Sequence, residues 1–168
     1  MYAVASINLP NYQDLADLTD QTKREYCERY GYKFFVLKET RYSPVMGFNK
    51  IHYVADLFKQ HPEIEWLLFS ECDAMITNLA TPIHEKIDND YHFIVPVDRL
   101  NINSGNFLAR NSEQGRAYLQ MIIDKEPEYG WKVVPITLVV THPDFGQVGV
   151  KTDIHNEGKS SKTIFTQL

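Results

Sequence analysis

The chain has 168 residues, of which 43% are hydrophobic and 23% charged, with a formal net charge of −5. One domain of that length buries roughly 70% of its unfolded surface, and the composition excludes collagen-like, disordered and membrane-embedded classes. The negative balance excludes a nucleic-acid groove, which needs a basic stripe to displace counterions. It leaves room for a nucleotide ligand, because a bound metal neutralises a diphosphate locally.

No apolar run approaches the roughly 20 residues that span a bilayer, and the N-terminus lacks the basic patch, apolar core and cleavage site of a signal peptide. Cys27 and Cys72 match neither a zinc spacing nor a disulfide framework. Cytoplasm is therefore the expected compartment, and residues 1–168 are expected to form one domain.

In chain order, AVASINL (Ala3 to Leu9) reads as a buried strand ended by Pro10 and Asn11. Leu15, Leu18, Thr22, Tyr26 and Tyr30 follow at helical spacing, and Gly31 closes that helix where left-handed backbone is wanted. KFFVL (Lys33 to Leu37) is a second strand. Ile51, Val54, Ala55 and Phe58 mark a second helix, ended by His61 and Pro62, and WLLFS (Trp66 to Ser70) is a third strand. This alternation predicts an α/β fold, a mostly parallel sheet covered by helices on both faces. Ligands of such sheets bind beyond the carboxyl ends of the strands. HFIVPV (His92 to Val97) and NFLA (Asn106 to Ala109) add two strands, and Asn111 with Gln114 resembles a capping box opening a third helix. WKVVPITLVV reads as a strand broken by Pro135, and Lys151 to Leu168 as polar and turn-rich.

The third strand runs straight into Glu71, Cys72 and Asp73. In extended chain, residues i and i+2 share a face, and like charges so placed raise each other's pKa unless something positive sits between them. A divalent cation answers that need; a polar strand end whose acids cap a turn is the competing account.

Four separated pieces then carry a resemblance: KREYCERYGY (23–32), GFNKIHYVADLF (47–58), EWLLFSECDAMITN (65–78) and NINSGNFLARNS (101–112). In this order they resemble the galactosyl-, mannosyl- and xylosyltransferases of the fungal and plant Golgi, which share the GT-A fold. The resemblance covers about three-quarters of the chain. It implies a D-x-D motif holding manganese or magnesium against the diphosphate of a nucleotide sugar. Here Glu71 and Asp73 match it, with a longer acid in place of the first aspartate. Asn103, Ser104 and Gly105 match the segment that faces the donor sugar, with Asp98 just upstream; Asp98 and Asn103 are the implied catalytic pair. Lys50 matches the lysine of a W-x-K segment, with Phe48 for the tryptophan, and His155 with Gly158 matches the H-x-x-G that closes the metal site. Asn8 and Tyr12, on the first loop, are expected to meet the donor, the tyrosine by stacking on its base.

Each residue also has a plainer reading: a solvated helix lysine for Lys50, a tight turn for Asn103 to Gly105, a surface histidine for His155 and an inert buried thiol for Cys72. The family's acidic residue before a glutamine is replaced by Gly146 before Gln147, and no Golgi membrane anchor is expected. That departure implies a microbial or viral relative, or an excised domain of a Golgi enzyme. The implied activity is metal-dependent, retaining transfer of a hexose or pentose from a UDP- or GDP-linked sugar to a glycan or glycoprotein acceptor. The alternatives are a degenerate nucleotide-sugar-binding module and a sugar nucleotidyltransferase. The latter would want a glycine-rich phosphate loop, and SINLPNYQDL contains no glycine.

Overall fold

The computed structural model describes residues 1–97, 103–129, 150–154 and 165–167. Strands β1 (Tyr2–Ile7), β2 (Lys33–Leu37) and β3 (Trp66–Ser70) are joined by helices α1 (Gln13–Tyr30) and α2 (Met46–Gln60). A short strand β4 (Ala74–Ile76) follows, then β5 (Phe93–Val97), β6 (Asn106–Arg110), helix α3 (Glu113–Tyr129), β7 (Val150–Ile154) and β8 (Phe165–Gln167). Six strands form one sheet in the order β2-β1-β3-β6-β5-β7, and β4 pairs with β8. Strand β1 is parallel to β2 and β3, and β5 to β7, while β6 runs antiparallel to both β3 and β5. Among the described strands of the large sheet, five therefore point one way and β6 the other.

Alternate residues of these strands feed two cores, as a strand repeat of two requires. Ala3, Ala5, Leu67, Phe69, Phe107 and Ala109 pack with α2 and α3, while Val4, Trp66, Leu68 and Leu108 pack with Tyr26 and Cys27 of α1. The first core carries an aromatic ladder across the sheet: Phe69 to Phe107 at 5.2 Å, Phe107 to Phe93 at 4.7 Å, and Phe93 to Tyr118 of α3 at 5.0 Å. Each such pair adds about 0.5–1.5 kcal/mol beyond its burial.

Helix α1 departs from the expected face. Leu18 is exposed, and the buried stripe is Ala16, Thr19, Asp20, Lys23, Tyr26 and Cys27. That stripe has helical spacing but is half polar, because this part of α1 packs against a hydrogen-bonding turn. Gly31 caps the helix as expected, with φ 67°, and its N–H reaches the Glu28 carbonyl at 3.4 Å. The third helix begins one residue later than the sequence suggested: Ser112 Oγ, not Asn111, accepts the Gly115 N–H at 3.0 Å. It also continues past Pro127 to Tyr129. The tail expected to be polar and turn-rich contributes the backbone of β7 and β8; WKVVPITLVV lies outside the described residues.

Helices α2 and α3 are cross-linked through Glu126. Ser43 Oγ donates to one carboxylate oxygen, and His52 Nε2 lies 2.8 Å from the other. Among the described residues, no helix is long and apolar enough to cross a membrane.

Gly31→Ala is expected to lower stability by about 1 kcal/mol, since a Cβ disfavours left-handed backbone. Gly47→Ala, where a Cβ meets nothing within 4 Å, is expected to raise it by about 0.5 kcal/mol; urea midpoints give both signs. Burial pushes the Glu126 pKa up, but hydrogen bonds from Ser43 and His52 outweigh it and leave the value lowered. A depressed carboxyl stabilises the fold above its unfolded pKa and loses that contribution as pH falls through its folded value. Glu126→Gln is therefore expected to flatten the acid limb of a stability-versus-pH profile from the ordinary glutamate pKa of about 4.3 downward.

Candidate nucleotide-sugar site

The site sits at the carboxyl edge of β3, and its geometry follows from the reversed strand β6. Antiparallel pairing sets Ser70, the last residue of β3, opposite Asn106, the first of β6. The next residue on one side is Glu71 and the preceding one on the other is Gly105, and Glu71 N–H donates to the Gly105 carbonyl at 3.0 Å. Two sequence pieces more than thirty positions apart thus meet at one edge.

Glu71 and Asp73 do not lie in extended chain. Ala74 N–H closes back on the Glu71 carbonyl at 3.1 Å, so residues 71–74 form a tight turn into β4. A short polar turn here frees the two acids from a shared face. Glu71 points to Lys50 of α2, whose Nζ is 2.8 Å from Oε1. The same ammonium donates to the Ser104 carbonyl at 2.8 Å and lies 5.9 Å from the centre of the Phe69 ring. The Lys50 side chain is 12% exposed and that of Glu71 37% exposed, which makes this a half-sheltered pair rather than a solvated one.

Lys23 of α1 approaches the turn from the other face; burial pushes its pKa down, while the charge of Asp20, and more weakly that of Asp73, favours its charged form. Lys23 is fully buried and donates to the Glu71 carbonyl at 2.8 Å, with Asp20 Oδ1 at 3.6 Å. Thr19 Oγ1 donates to the Cys72 carbonyl at 2.5 Å. Cys72 is partly exposed rather than buried outright. Burial, then the Asp73 charge, raises its pKa, so the thiol stays protonated near neutrality.

Gly105 is a cradle. A Cβ there would stand 2.7 Å from Glu71 Oε2 and 2.9 Å from Asn103 Oδ1, so a carboxylate and an amide oxygen close over bare backbone. Asn103 Oδ1 also accepts the Gly105 N–H at 2.8 Å, fixing the turn. Carboxylate and amide oxygens are hard donors, the type that suits manganese or magnesium, but the Glu71 carboxylate is already taken up by Lys50. Among the described residues no three His, Cys, Asp or Glu side chains converge.

The remaining expected residues divide. Asn8 is at the right edge but buried, its amide donating to Asp20 Oδ2 at 2.5 Å and its Oδ1 accepting from Ser6 at 2.9 Å. Tyr12 is half exposed on the same loop. Asp98, His155 and Gly158 lie outside the described residues. Lys23, Thr19 and Asp20 are the site residues that sequence reasoning missed; their spacing with Tyr26 and Cys27 was the available signal. A groove of about 350 Å³ beside α1, reached by Asn8, carries Asp17, Asp20, Glu25 and Glu28 against Arg24 and Lys38. That acidic excess disfavours a diphosphate there.

Comparison with known proteins agrees with this architecture. An uncharacterized alpha-1,2-galactosyltransferase of Schizosaccharomyces pombe is 28% identical over a match covering 56% of this chain and 36% of its own length. This chain thus spans about a third of that relative. The crystal structure of a glycosyltransferase involved in the glycosylation of the major capsid of PBCV-1 superposes with a TM-score of 0.72 at 18% identity, covering 92% of this chain and 81% of that one. A Drosophila β1,4-galactosyltransferase 7 mutant, solved with manganese, UDP-Gal and xylobiose, superposes at 0.52 with 11% identity, covering 99% and 71%. The fold is GT-A, as the resemblance implied. The galactosyl transferase GMA12/MNN10 family is matched over residues 5–90, and the chain belongs to that family.

Proposed function

We propose that this chain is the nucleotide-sugar-binding unit of a glycosyltransferase, moving a hexose or pentose from a UDP- or GDP-linked donor to a hydroxyl of a glycan or glycoprotein, with retention of configuration. The reading rests above all on the convergence of Glu71, Lys50 and the Asn103–Gly105 turn at the carboxyl edge of β3, beside Asp73.

The donor sugar lies beside the Asn103–Gly105 turn, where the bare Gly105 backbone leaves room for the Glu71 and Asn103 oxygens to stand at the edge of the site. Asn103 and Asp98 orient it and favour the positive charge that develops at its anomeric carbon, a task of placement more than of basicity. As the anomeric C–O bond breaks, its electrons go to the diphosphate oxygen, and the acceptor oxygen bonds to the same face. The acceptor proton passes to that diphosphate oxygen, so no protein base is required. Manganese or magnesium, when bound, supplies Lewis-acid stabilisation of the leaving charge. Asp73 is the acid assigned to hold it, with His155 as a further ligand; Glu71, expected beside Asp73 as a second one, is engaged by Lys50.

UDP or GDP at a hundredfold excess over its Kd, with manganese, is expected to raise the melting temperature by roughly 5–10 °C. Asp73→Asn is expected to abolish the metal-dependent part of that rise. An equal rise in chelator would remove the metal from the reading, and tight binding without hydrolysis or transfer across a panel of nucleotide sugars would leave a binding module instead. Gly105→Ala, by pushing Glu71 and Asn103 aside, is expected to cut turnover about a hundredfold, the cost of an ångström-scale misplacement, with the melting temperature nearly unchanged.

A further inference from the structure

Within that proposed function, the geometry points to a role for Glu71 other than metal ligation: we infer that Glu71 is the anchor of Lys50, and that the pair is a strut holding the Asn103–Gly105 turn in its donor-facing position.

Four contacts support this. Lys50 Nζ is bonded on one side to Glu71 Oε1 at 2.8 Å and on the other to the Ser104 carbonyl at 2.8 Å, so one ammonium ties the end of β3 to the turn before β6. Ser104 Oγ lies 3.4 Å from the same nitrogen. The backbone closes the loop, with Glu71 N–H on the Gly105 carbonyl at 3.0 Å. An ammonium within hydrogen-bond range of Glu71 also works against a divalent cation on that carboxylate, because like charges at such separations repel.

The strut also explains why position 71 carries the longer acid. Aspartate would withdraw the carboxylate by about 1.5 Å, one carbon–carbon bond, and break the contact with Lys50. Glu71→Asp, which restores the D-x-D pattern, is therefore the decisive variant. A direct ligand tolerates that change or gains from it; a strut loses.

The test uses the purified chain with Glu71→Asp, Lys50→Met, Lys50→Arg in the Glu71→Asp background, and Asp73→Asn. Manganese alone is titrated by electron paramagnetic resonance. Binding of UDP-galactose, UDP-xylose and GDP-mannose is then compared by calorimetry with that of the free diphosphates. Glu71→Asp and Lys50→Met are expected to keep manganese affinity within about twofold and to weaken the best nucleotide sugar about tenfold, the loss of one charge-assisted hydrogen bond. The free diphosphate is expected to bind as before, and the longer arginine to recover part of the loss, which a general destabilisation would not do. If Glu71→Asp weakens manganese as much as Asp73→Asn does, or leaves sugar binding intact, the strut is overturned. If Asp73→Asn alone leaves manganese untouched, the metal assignment falls instead, separately from the strut.

Discussion

The reversed direction of β6 is the constraint on which the site depends. In a wholly parallel sheet, the segment entering β6 would lie at the opposite edge from the end of β3. Antiparallel pairing places Asn106 beside Ser70 and so brings Gly105 to Glu71. The register is held by packing rather than by the site itself. Phe69 and Phe107 are direct cross-strand partners in the aromatic ladder, and a slip of one residue would turn every side chain of β6 to the wrong face. Buried apolar area thus sets the position of the polar groups.

Charge balance at this edge is divided between the two faces of the sheet. Lys50 reaches Glu71 from the side of α2, and Lys23 serves the turn and feels Asp73 from the side of α1. The cost of burying Lys23 is offset by Asp20 and by a backbone carbonyl, an arrangement that removal of either partner would unbalance. Positive charge is thereby supplied from both sides of the edge where a nucleotide's phosphates are proposed to lie.

Much of the scaffold was legible in the chain. The apolar runs 33–37 and 66–70 and the glycine at 31 gave β2, β3 and the end of α1, because burial and left-handed backbone leave local marks. The direction of β6 was not legible: NFLA has the composition of a buried strand whichever way it runs. Nor was the polar stripe of α1, since Leu15 and Leu18 outweigh Thr19 and Lys23 on any hydrophobic count although Leu18 ends in solvent. Glu71 and Asp73 were found as a pair, but the tight turn that separates them depends on a bond between Ala74 and Glu71 that residue type alone does not announce. The family resemblance supplied what spacing could not, namely that Lys50 and Gly105 belong with that turn.

Helix α1 presents three hydrogen-bonding side chains, at positions 19, 22 and 23, to three backbone groups of the crossing segment: the Cys72 carbonyl, the Ile76 N–H and the Glu71 carbonyl. The helix therefore works as a template that pins both ends of residues 71–76 before any ligand arrives. A segment gauged in this way needs no induced ordering to receive a guest, and the entropy of arranging it is spent during folding rather than at the moment of capture.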